Sequence, residues 1–219
     1  MAELVLVRHA QASFGAQDYD RLSELGWRQS RWLGEYFTQS GAAFDLIMRG
    51  TLRRHAQTLA GIAEGMGTAL EGAEDARLNE YDSDALLRAH CGLELLQGKD
   101  RREHFRVLRS ALYAWADGTL AVAPHERFDA FRGRVLAVLS VIRAGRAKRV
   151  LVVSSGGPIA TILAEVLGMP QRGVVDLNLQ TRNTGITQLQ SGASRIQCVS
   201  FNNVPHLDRP DRAGALTYS

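Results

Sequence analysis

Arg8-His9 follows directly on Glu3-Leu4-Val5-Leu6-Val7, so a permanent cation and an imidazole stand where a strand ends. Arg54 opens a helical stretch, Glu80 lies in a loop, and Ser155-Gly156 sits in the turn Ser154-Ser155-Gly156-Gly157-Pro158 after a second apolar run, Val150 to Val153. These types suit a doubly anionic phosphoryl group. Arginine grips its oxygens in a bidentate fork and keeps its charge. A neutral histidine can accept the group at a ring nitrogen, and a carboxylic acid can protonate the leaving oxygen and then deprotonate water. The glycines permit a tight turn and Pro158 suits the start of a helix, which together make an anion cradle.

The elements that must position these residues read as alternating strands and helices. Short apolar runs such as 3–7 and 150–153 suit strands buried on both faces, and sheets built from them carry their chemistry at the carboxyl ends. Ser23 is an N-cap candidate for a helix to about Gln39, residues 44–48 read as a strand, and 51–66 as a helix. Residues 82–125 have helical apolar spacing without a strand, which predicts a helical insertion or lid. Phe128 to Ile142 and Ile159 to Leu167 read as helices flanking the 150–153 strand. Residues 185–190 and 196–201 read as a hairpin at a sheet edge, and the tail from Pro205 as irregular. The expected fold is α/β: a three-layer α/β/α arrangement with a mainly parallel sheet, helices on both faces and the 82–125 insertion. All 219 residues are expected in one domain.

Lys plus Arg exceed Asp plus Glu by 26 to 23, a near balance that argues against nucleic acid as a partner. No apolar run approaches about 18 residues and no leader pattern opens the chain, so neither a membrane nor secretion is expected. Cys91 and Cys198 form no CxxC pair, which fits a reducing, cytoplasmic setting. With no HExxH and no close histidine pair, no metal is expected; G-x-S-x-G and a glycine-rich dinucleotide loop are absent as well.

Four motifs in register resemble the histidine phosphatase superfamily, the phosphoglycerate mutase-like proteins. Leu6-Val7-Arg8-His9 matches the family's Arg-His-Gly motif with Ala10 in place of glycine, and Leu52 to Thr58 matches Leu-x-Arg followed by Thr. Leu78-Asn79-Glu80 matches the context of its general acid, and Tyr19-Asp20 with Leu22 to Gly26 is also similar. The resemblance implies no cofactor, His9 as nucleophile, Arg8 and Arg54 as phosphate ligands with Ser155 and Gly156 beside them, and Glu80 as acid and base. It departs at Ser155, where the family carries a second histidine that donates to the phosphoryl group.

A charge-assisted hydrogen bond contributes roughly 1.5 to 3 kcal/mol against about 0.5 to 1.5 for a neutral one, so reduced activity is expected. On this reasoning Ser155→His should hydrolyse faster. His55 and His206 are the candidates to replace the missing imidazole; His90, His104 and His125 read as ordinary histidines. The implied function is hydrolysis of phosphate monoesters through a phosphohistidine. A mutase, which must retain a bisphosphorylated intermediate, is disfavoured by the same loss. The alternative is a phosphate-ligand-binding or regulatory protein with little turnover. The expected partner is a phosphorylated small molecule or inorganic phosphate, and the edge strand would allow a homodimer without requiring one.

Overall fold

Strand β1 (Ala2–Arg8) is buried from Leu4 to Val7, and its alternate side chains feed two different cores. The computed structural model describes residues 2–13, 20–92, 101–120, 126–192 and 194–218. In it β1 lies between β4 (Arg149–Ser154), parallel, and β5 (Ile186–Ser191), antiparallel. Strand β2 (Leu46–Arg49) pairs parallel with β4 and with the two-residue β3 (Ala73–Glu74), and β6 (Ile196–Asn203) closes the other edge against β5. The order β3-β2-β4-β1-β5-β6 brings the carboxyl ends of β1, β2 and β4 to one edge of a mixed, mostly parallel sheet.

Helices cover both faces. Val5, Val7, Leu151 and Val153 pack with Leu33 and Phe37 of α1 (Glu24–Gln39) and Leu59 and Ile62 of α2 (Arg53–Met66). Leu4, Leu6, Val150 and Val152 pack on the opposite side against α5 (Phe128–Ala144) and α6 (Gly156–Leu167), where Phe131 is fully buried. Ser23 caps α1 through Oγ, accepting from Gly26 N at 3.0 Å.

The 82–125 stretch supplies α3 (Ser83–Cys91) and α4 (Arg101–Ala116); residues 93–100 and 121–125 lie outside the described residues. Trp115 of α4 packs against Tyr81, Phe128 and Phe131, so this stretch shares the larger core. Beyond expectation come β3, α7 (Gln171–Asn178) and a 3-10 turn at Pro210–Ala215 in the tail that was expected to be irregular. Gln29 Nε2 holds that tail, donating to Ala215 O at 2.7 Å and Thr217 Oγ1 at 2.9 Å. No helix among the described residues is long and apolar enough to cross a membrane.

The α1–α2 contact fixes how α2 presents its first turn. Ser30 and Gly34 of α1 face Gly61 and Gly65 of α2 at i, i+4 spacing, so the backbones approach closely. A Cβ on Gly34 would lie 2.1 Å from Ile62 O. Alanine ordinarily gains about 0.5–1 kcal/mol over glycine inside a helix, yet overpacking costs about 1–3 kcal/mol, so Gly34→Ala should destabilise. A urea midpoint equal to or above that of the parent would contradict this packing.

Candidate active site

His9 leaves β1 with its backbone N–H donating to Ser154 O at 2.8 Å, and its imidazole is 4% exposed. Nδ1 lies 2.8 Å from Ala10 O. A carbonyl can only accept, so Nδ1 carries the proton and the neutral ring keeps its lone pair on Nε2. Burial pushes the His9 pKa well below 6.5, and the positive fields of Arg54 and Arg8 and the neighbouring His55 add to it; the Ala10 bond opposes them. The ring therefore stays neutral near pH 7.

Two guanidinium groups flank it. Arg8 ends β1 and donates from Nη1 to Thr181 O and Tyr218 O, both at 2.6 Å. Arg54, 8% exposed in the first turn of α2, donates from Nη1 to Asp20 Oδ1 at 2.7 Å. Asp20 also accepts from Arg53 N at 2.8 Å, so one carboxylate caps the helix start and orients the cation. Ala10 N donates to Thr58 Oγ1 at 3.0 Å, tying the His9 segment to α2.

Glu80 follows the 3-10 turn Ala76–Leu78, and its Oε2 accepts from Gly157 N at 3.0 Å. A Cβ at residue 157 would lie 2.1 Å from Glu80 Oε1, so a larger residue there would have to displace the Glu80 carboxyl. Burial raises the Glu80 pKa against the opposing effects of the Gly157 N–H, Arg54 and Arg8. Both arginines thus act on His9 and on Glu80. Ser155 and Gly156 form the start of α6 at the same sheet edge; Ser155 Oγ lies 2.8 Å from His55 Nε2, and both residues are fully buried.

Arg8, His9, Arg54, Glu80, Ser155 and Gly156 therefore share one edge of the sheet, with His55 beside them. His206 does not meet this group: it pairs with Thr184 Oγ1 at 2.8 Å. His90 and His104 lie on α3 and α4, and His125 falls outside the described residues. Arg53 is exposed. Gln11 Oε1 accepts from Ser23 Oγ at 2.7 Å, and the main-chain N–H of Ser13 donates to Arg21 O at 2.8 Å. Sequence reasoning left Asn183 unassigned, although its Nδ2 donates to His9 O at 3.2 Å; it likewise gave Asp20 no function of its own. Among the described residues no group of three His, Cys, Asp or Glu side chains is arranged to hold a metal.

A family model for the histidine phosphatase superfamily, branch 1, matches residues 4–204. A 2,3-bisphosphoglycerate-dependent phosphoglycerate mutase of Methylorubrum populi is 28% identical over 191 residues, 81% of this chain and 85% of the mutase. A mutant phosphoserine phosphatase from Entamoeba histolytica, solved with phosphoserine, superposes with a TM-score of 0.68 at 21% identity, covering 94% of this chain and 100% of that one. A mycobacterial glucosyl-3-phosphoglycerate phosphatase in complex with VO3 superposes with a TM-score of 0.66 at 25% identity, covering 92% of this chain and 99% of its own.

The buried histidines set an acid limit on stability. Folded His9 is held well below 6.5, and His55 and His206 are pushed down to about 3, all three by burial first. Below 6.5 the unfolded chain binds protons that the folded chain refuses, so stability is full above that pH and falls toward 3. Each histidine contributes a slope of about 1.4 kcal/mol per pH unit. Glu80, with its raised pKa, works in the opposite sense and offsets part of one proton. The urea midpoint should drop steadily from pH 7 to 5, and His206→Gln should make the drop shallower by about one proton. A flat midpoint over that range would contradict neutral burial.

Proposed function

We propose that this chain, which belongs to the histidine phosphatase superfamily, hydrolyses phosphate monoesters through a phosphohistidine on His9. The observation that carries the reading is the His9 imidazole, protonated on Nδ1 toward Ala10 O and flanked by the cations of Arg8 and Arg54. In the first step the Nε2 lone pair forms a bond to phosphorus while the ester P–O bond breaks, and Glu80 gives its proton to the departing alkoxide. Water then attacks phosphorus as the N–P bond breaks, passing a proton to the Glu80 carboxylate and returning His9 to its neutral state. Arg8 and Arg54 hold the oxygens on which charge collects, with Ser155 and Gly156 at the same group.

Reduced turnover belongs to this proposal, since Ser155 brings no charge to the turn that resembles the family's second-histidine motif. The expected ligand is a phosphorylated small molecule, in keeping with neighbours solved with phosphoserine or 3-phosphoglyceric acid. The chain acts as one unit whose α3–α4 stretch contributes to substrate choice. The curated relatives are mutases, and that activity is the alternative to hydrolysis. Given 3-phosphoglycerate and 2,3-bisphosphoglycerate, the chain should release phosphate rather than isomerise the monoester. The second reading, a phosphate-binding protein with little turnover, rests on Ser155 as well.

Rapid quench with a labelled aryl phosphate separates these readings. We expect acid-labile, alkali-stable label on His9 in the first turnover, none in His9→Ala, and inhibition by vanadate. Ligand binding without label would favour the binding protein; turnover without label would overturn the phosphohistidine. Arg54→Ala should cost about 10²–10³ in rate, the scale of one lost transition-state donor. Glu80→Gln should cost about 10²–10⁴ on an alkyl phosphate. On a nitrophenyl ester, whose leaving group needs no proton, that loss should shrink; equal losses on both esters would remove Glu80 as the acid.

A further inference from the structure

We propose that the cleft between α1 and the C-terminal tail is an effector site for a small organic anion with an apolar body, coupled through Arg182 and the tail to the hold on Arg8 and His9. The cleft measures about 870 Å³, within the roughly 300–1,000 Å³ of small-molecule sites, and Arg8, His9, Arg54, Glu80, Ser155 and Gly156 lie outside its lining. Tyr36, Leu207, Pro210 and Leu216 supply apolar walls, and Leu216 is 41% exposed.

The charge comes from Arg182. It is partly buried and makes no ion pair among the described residues; its Nη1 donates to Asn202 O at a long 3.4 Å, and its Nε is buried without a hydrogen-bond partner. A guanidinium cannot shed its charge, so partial burial without a carboxylate leaves its desolvation uncompensated. Arg209, the second cation of the lining, is already paired with Asp211 at 3.1 Å, and Asp208 stands exposed beside it. One available cation next to an extra carboxylate suits a single carboxylate, sulfonate or phosphate head and disfavours a polyphosphate.

Two walls of the cleft also carry the supports of Arg8 and His9. Arg182 stands between Thr181, whose O accepts from Arg8 Nη1, and Asn183, whose Nδ2 donates to His9 O. Leu216 precedes Thr217 and Tyr218, whose carbonyls accept from Asn183 N and Arg8 Nη1. Thr184, next in the loop, has φ +56°, a conformation that β-branched residues avoid, and Asn202, which accepts from Arg182 N at 2.7 Å, has φ +58°. Backbone of this kind persists only because its surroundings hold it. An anion that ties Arg182 to the tail wall therefore firms the hold on Arg8, and a better-held Arg8 binds a phosphoryl anion more tightly. That last step rests on the proposed phosphoryl site; the cleft and its ligand do not.

The test is a fluorescence titration of the full chain with 8-anilinonaphthalene-1-sulfonate, an aromatic anion, beside its uncharged analogue N-phenyl-1-naphthylamine. The sulfonate should bind at one site and stay bound when vanadate saturates the phosphoryl site. Arg182→Met, which keeps the stem and the main-chain bond to Asn202, should weaken it about ten- to hundredfold, the scale of one charge-assisted hydrogen bond, and leave the neutral analogue within about twofold. Where Arg182→Met does not fold, Leu216→Glu puts a carboxylate on the exposed wall and should weaken the sulfonate more than the amine. By linkage the sulfonate and vanadate should tighten each other by the same factor, about fivefold or more, and Arg182→Met should abolish that coupling. Displacement of the sulfonate by vanadate, sulfonate binding unchanged in Arg182→Met, or equal loss of both probes would overturn the site; independent binding of sulfonate and vanadate would overturn the effector role. Label on His9 without an Arg182-dependent sulfonate site defeats this inference alone; such a site without label on His9 defeats the phosphohistidine reading alone.

Discussion

A carbonyl oxygen has no proton to give, so the 2.8 Å contact between His9 Nδ1 and Ala10 O decides which nitrogen of the ring keeps its lone pair. Burial and two charges then keep that lone pair free of a second proton. In water an imidazole near pH 7 is partly protonated; here Arg54, Arg8 and the low-dielectric surroundings all disfavour the imidazolium. The same cations that, on the proposed reading, bind a phosphoryl group also help to keep His9 Nε2 unprotonated. Glu80 is buried between the same influences and is moved in the other direction, because burial dominates there. One environment thus produces a neutral base and a carboxyl group that holds its proton to higher pH.

Much of the fold serves to hold Ala10 O and the His9 ring in that relation. Asn183 Nδ2 takes His9 O, Thr58 Oγ1 takes Ala10 N, and Ser154 O takes His9 N, so the short segment after β1 is held from three elements. The tail adds a fourth: Thr217 O accepts from Asn183 N at 2.9 Å and Tyr218 O accepts from Arg8. The close α1–α2 packing keeps Arg54 and His55 in place at the other side of the site.

The central strands were legible because burial on both faces leaves no alternation to misread, and the long helices because their apolar spacing is strong. The two-residue β3 was not, since it exists only through pairing with Met48 and Arg49. Arg8, His9, Arg54 and Glu80 could be named because each lies in a local motif. Asn183 to His9 and His55 to Ser155 span 174 and 100 positions, and no local pattern reports a bond of that kind. Ser155 read alone looks like a lost function. Read with His55 against it, the position is one half of a buried pair.

The tautomer and charge of His9 are the quantities to measure. Long-range ¹H–¹⁵N correlation of the imidazole through a pH titration should show the Nδ1–H form with an unprotonated Nε2, and no imidazolium for His9 between pH 7 and 6. A ring that carries its proton on Nε2, or that titrates near 6.5 like an exposed histidine, would contradict the account at its base.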